Sequence, residues 1–163
     1  MKKLLAIILF SPSFFLAQKD TWDYIGNISF DEKTDRKDFI LCDENHVYQY
    51  FNDSEGYLYD GEKLAIEEEF QKKYNQTIVK KENAWVRIRF IVNCFGRTDR
   101  FRLLTANYNY EPIEIDKNIT SQLLEITKNL SGWIPKKIKE QKIDYYQYLT
   151  FKIKDGKIDE ILP

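Results

Sequence analysis

Residues 85–104 constrain the fold more tightly than any other stretch of the chain. Val86, Ile88, Phe90, Val92 and Cys94 alternate with Trp85, Arg87, Arg89, Ile91 and Asn93. A period of two puts the first set on an apolar face and the mostly polar second set on the other, as in a half-buried strand. Phe95-Gly96-Arg97-Thr98 is turn chemistry, and alternation resumes from Asp99 to Leu104, with Phe101 and Leu103 inward and Arg100 and Arg102 outward. Two such runs around a glycine turn predict an antiparallel hairpin. Its apolar face needs a cover.

The flanking segments supply one. Glu62 to Tyr74 is helical in composition, with Ile66, Phe70 and Tyr74 on one face and Asp60 placed to cap it. Asp116 is placed to cap a second helix of about 14 residues, whose apolar stripe is Ile119, Leu123, Ile126 and Leu130. Gly132 and Trp133-Ile134-Pro135 stop that helix. Tyr145 to Ile153 reads as a third strand. Leu149, Phe151 and Ile153 face one way, and Tyr146, Tyr148, Thr150 and Lys152 the other. Asp155-Gly156 then turns the chain into a short end piece, Lys157 to Leu162. The order helix, strand, strand, helix, strand predicts a two-layer α+β domain over residues 61–163. It has a three-stranded, mainly antiparallel sheet with two helices on one face.

Residues 18–60 form an N-terminal extension that is polar, acidic and rich in tyrosine. Phe39 to Cys42 and His46 to Phe51 are strand-like runs around Asp43-Glu44-Asn45, which predicts a hairpin, and residues 52–56 break the chain. Ahead of the extension stands an export pattern. Lys2 and Lys3 precede the apolar run Leu4 to Phe10, and small Ala17 precedes polar Gln18, so residues 1–17 read as a signal peptide cut after Ala17 or Gln18. A spanning helix needs roughly 20 apolar residues, and Pro12 interrupts this stretch. The expected mature chain has no stable membrane anchor.

Charge narrows the partners. The 25 basic and 26 acidic residues give a net charge of −1, and loss of Lys2 and Lys3 takes it to −3, without the basic excess a nucleic-acid partner would favour. Eleven Tyr, eleven Phe and three Trp supply strand-forming, area-rich side chains instead. Cys42 and Cys94, an even pair in an exported chain, are candidates for a disulfide, the alternative being two unpaired buried thiols.

Catalytic patterns are lacking. His46 is the only histidine, so any Ser-His-Asp or Cys-His arrangement runs through it, and no nucleophile-elbow signature accompanies it. One histidine and two distant cysteines do not cluster as zinc ligands do. Asp53-Ser54-Glu55-Gly56 only faintly echoes a calcium loop, and six scattered glycines form no phosphate loop. Neither cofactor nor catalytic residue is expected. A sheet with an open edge can instead accept a peptide strand, with Tyr146, Tyr148, Thr150 and Lys152 as candidate partner-binding residues.

Gly61 to Ile153 resembles the C-terminal domain of TonB, the periplasmic energy-coupling protein. It is especially similar to the stand-alone TonB-like domains exported by Bacteroidetes. The resemblance is carried by the helix ending in Phe70 and Tyr74 and by the strand Val86 to Val92 with Gly96 in the turn. The second helix follows, then the Trp133-x-Pro135 exit and the strand Tyr148 to Ile153. It implies a periplasmic domain that binds a short segment of an outer-membrane transporter by strand addition. An energy-transducing member also carries an uncleaved anchor and a long proline-rich spacer, and this chain has four prolines. The leading expectation is therefore an exported protein-interaction module. The alternatives are an anchored TonB-type energy-transduction component, or an enzyme or inhibitor with an unrecognised site.

Overall fold

The computed structural model describes residues 26–49 and 57–162. The expected signal peptide, Tyr50 and Phe51 of the expected hairpin, and the break at 52–56 lie outside them.

Two strands and two helices form where the periodicity places them. Helix α1 is Glu62–Lys73 and α2 is Lys117–Lys128. Strand β1 is Ala84–Val92 and β2 is Thr98–Ala106, joined through a turn in which Gly96 has φ 78°. A Cβ on Gly96 would stand 2.5 Å from the Trp133 carbonyl oxygen, so only glycine lets the turn pack beneath that loop. The Asp116 side chain caps α2 by accepting the Asn118 N–H. Asp60 does not cap α1. Gly61 holds that position in a left-handed conformation with no side-chain cap.

Strands β3 (Lys136–Ile138) and β4 (Gln141–Ile143) make a separate small ribbon. Strand β5, Tyr145–Lys154, is the expected third strand. The end piece is itself a strand, β6 (Lys157–Leu162), so the sheet has four strands rather than three, ordered β2-β1-β5-β6 and antiparallel throughout. Six residues after an Asp-Gly turn are enough to fold back on β5, because Ile161 reaches the core at 3 % exposure.

The main core lies between the sheet and the helices. Val86, Ile88 and Phe90 of β1 and Leu149, Phe151 and Ile153 of β5 pack with Ile66 and Phe70 of α1 and Ile119 and Leu123 of α2. A second, smaller core on the opposite face joins Ile91 and Tyr146 to Ile28, Phe39 and Leu41 of the extension. Residues 26–49 therefore form a strap across the outer face of the sheet, a third layer that the two-layer expectation lacked.

The expected hairpin of the extension does not form among the described residues. Its turn is present: Asp43 accepts the His46 N–H through its carbonyl and the Asn45 N–H through its side chain. The flanking runs, however, bond to the sheet rather than to each other. Tyr48 makes a parallel bridge with Tyr145, donating its N–H to the Asp144 carbonyl and accepting the Tyr146 N–H. The N–H groups of Cys42 and Asp43 go to the Asp144 carboxylate, and the Ile40 carbonyl accepts from the Asn93 side chain.

Candidate interaction site

The structure separates the four candidate partner-binding residues. All lie on β5, which is an interior strand flanked by β1 and β6. Tyr146 is 3 % exposed beneath the strap, where its hydroxyl accepts the Ile28 N–H at 3.3 Å. Burial pushes that hydroxyl's pKa up. Arg89 lies over its ring at 5.8 Å. Tyr148, Thr150 and Lys152 are half-buried. Arg87 lies 5.1 Å over the Tyr148 ring and donates to the Thr150 hydroxyl, while Lys152 pairs with Asp159 at 3.0 Å. This row is thus partly covered and internally satisfied, and from Thr150 to Ile153 the β5 backbone is already paired on both sides.

The sheet edges remain. At β2, Ala106 bridges to Pro112, the Ile113 N–H reaches the Thr105 carbonyl, and the Thr105 hydroxyl donates to the Ile113 carbonyl, so one end of that edge is closed. No strand among the described residues pairs with the outer edge of β6. A groove of about 310 Å³ runs beside it, with Phe70, Tyr74 and Gln76 on one wall and Lys157 to Ile161 on the other. Glu67, Asp159 and Glu160 give the groove an acidic rim against the single Lys157. Asp159 is an inserted residue: the β5–β6 register runs from Lys152 opposite Glu160 to Ile153 opposite Ile158. A bulge of this kind re-aims side chains and also limits indiscriminate edge pairing.

His46 lies in the exposed turn, its Nδ1 2.8 Å from Asp43 Oδ2. The expected disulfide is present: Cys42 on the strap is joined to Cys94 in the β1–β2 turn, with Cα atoms 6.2 Å apart. Beside it stands Asp144, which periodicity did not single out. Its carboxylate accepts the N–H groups of Cys42 (2.7 Å), Asp43 (2.8 Å) and Cys94 (2.8 Å). Among the described residues, Cys42, Cys94 and Asp144 are the one set of three potential metal donors close together. The sulfurs are bonded to each other and the carboxylate is committed to amides, so this set ties the strap down.

The strap has a second fastening. Asp35 makes a two-pronged pair with Arg102, both contacts 2.7 Å, and Glu44 meets Arg100 at 2.7 Å. The carbonyls of Gly26, Ile28 and Ser29 accept from Arg89, Arg100 and Arg102. A bulge in β2 makes this possible. Arg89 pairs with Arg102 and Ile91 with Asp99, which leaves one extra residue on β2, and Arg100 takes φ 58°. Asp99 and Arg100 thereby both face the strap, where Asp99 accepts the Arg36 N–H at 2.8 Å. Strict alternation would have sent one of them inward.

No family model, curated protein or solved structure matches the chain.

Proposed function

We infer that the protein is an exported, periplasmic interaction module of TonB-like fold that binds an extended segment of a partner protein at the β6 edge. One observation carries this reading: the edge strand Lys157–Leu162, whose outer side no strand among the described residues pairs, borders a groove walled by α1. Strand addition would take affinity from main-chain hydrogen bonds and specificity from the groove. The disulfide is compatible with an oxidising compartment, and no helix among the described residues is long and apolar enough to cross a membrane. An N-terminal segment of an outer-membrane transporter is the partner that the TonB resemblance favours.

Titration of the isotope-labelled mature protein with peptides from such segments tests the reading. The amides of Lys157 to Leu162 are expected to shift, together with side chains lining the groove. Unmoved β6 amides at saturating peptide would remove strand addition at this edge.

A further inference from the structure

The disulfide is asymmetric. Cys42 is exposed on the strap, whereas Cys94 is 4 % exposed beneath it. Asp144, 1 % exposed, sits against both half-cystines, and one of its carboxylate oxygens and the two sulfurs all lie within 4.8 Å of one another. Among the described residues, the hydrogen-bond partners of this carboxylate are three neutral backbone amides.

We propose that Asp144 makes Cys42–Cys94 a one-sided, thiol-resistant latch on the strap. An external thiolate, from a small dithiol or a thiol–disulfide oxidoreductase, reaches Sγ of the exposed residue Cys42. A bond forms between the reductant sulfur and Cys42 while the Cys42–Cys94 bond breaks, and its electron pair leaves on Sγ of Cys94. That negative charge develops beside a buried carboxylate, where water screens it weakly, so the two repel and the step is slow. The second thiol of the reductant then attacks the mixed disulfide and expels Cys42 as a thiolate. Both cysteine sulfurs take protons from water, and the reductant leaves as its own disulfide. Throughout, Asp144 keeps hold of the Cys42 and Asp43 amides. A strap whose disulfide has been cut thus stays in place, with its two sulfurs positioned to rejoin.

Reduction of the full native chain by dithiothreitol at fixed pH, followed by mass spectrometry after thiol alkylation, reads the barrier directly. Asp144→Asn is expected to speed reduction by about tenfold or more, and Asp144→Glu, which keeps the charge, to stay near the wild-type rate. Asp144→Asn within about twofold of wild type overturns the proposal. So does Asp144→Glu reducing as fast as Asp144→Asn, since anchoring rather than charge would then be the cause. The wild-type chain gives an independent readout that needs no variant to fold. Glutathione, a monothiol, should be trapped on Cys42 with Cys94 alkylated, and an adduct mainly on Cys94 overturns the one-sided attack.

Discussion

Tyr74 shows how one side chain can connect distant parts of the chain. It follows α1 directly and donates its hydroxyl to the Gly156 carbonyl at 2.8 Å, tying the helix to the β5–β6 turn. Burial, with a smaller contribution from the negative charge of Asp116, pushes this hydroxyl up to about 12 from its ordinary 10.0. The fold therefore favours the neutral phenol. That preference stabilises fully below pH 10 and is lost as pH rises through about 12. Tyr74→Phe should cost about 1 kcal/mol at neutral pH through the lost hydrogen bond. It should also remove part of the stability loss between pH 10 and 12, as read by urea unfolding along a pH series. At the same scale, Asp144 left a trace in the sequence. It is a lone acid in the run Ile143-Asp144-Tyr145-Tyr146, where a charge survives burial only if well bonded. Asp144 stands one residue before the alternating run from Tyr145 to Ile153, so periodicity neither singles it out nor says which amides it will hold.

The strap is the element whose energetics differ most from the rest. Its apolar contribution is small, Ile28, Phe39 and Leu41 packing on Ile91 and Tyr146, so its polar fastenings matter more than they do in the main core. Burial of Asp35 pushes its carboxyl up, but the Arg102 guanidinium, the Asp31 N–H and the Thr34 hydroxyl together hold it below the ordinary 3.8. A depressed carboxyl stabilises above its unfolded value, and that stability drains away as pH falls through the lower folded value. The window is therefore acidic, below about pH 4. With the Asp35 side chain at 1 % exposure and that of Arg102 at 24 %, Asp35→Asn should destabilise by about 3 kcal/mol at neutral pH by removing the buried negative end of this two-pronged pair. The variant should also lose less than the wild type on acidification from pH 5 to pH 2. Denaturant unfolding at both ends of that range measures both effects. The strap's sequence reads as a hairpin because local turn chemistry is all that is visible from within it. Its partners, Asp144 and Tyr146, lie 102 and 118 residues away from Cys42 and Ile28. The β2 bulge was hidden for a similar reason: Asp99 and Arg100 face the strap together only because the strap is there.

Across the whole molecule, period-two and period-3.6 patterns located both helices and the long strands of the main core, since those elements bury one face continuously. The proposed interaction edge is harder to read from the sequence. Tyr146 to Lys152 drew attention for their outward alternation, yet pairing by the short β6 makes their strand internal and leaves Lys157–Leu162 as the edge. The one covalent cross-link spans 52 residues and joins the outer layer to the sheet. Closing a loop of that size stabilises by about 4 kcal/mol in the chain-entropy picture. Cys42→Ser should lower the unfolding free energy by up to about that amount, with a steeper denaturant dependence because the freed unfolded chain exposes more surface. The topology also imposes a timetable. Strand β1 pairs with β5 across the intervening β2 and α2, from Ala84 opposite Ile153 to Val92 opposite Tyr145, and such non-local pairing slows folding. The strap's seat is built from Asp144, Tyr145 and Tyr146 together with β1 and β2, so it does not exist until residues 144–146 have been made. The strap precedes its seat in the chain yet settles after it, and Cys42 and Cys94 both wait as thiols for a surface completed about 50 residues after Cys94.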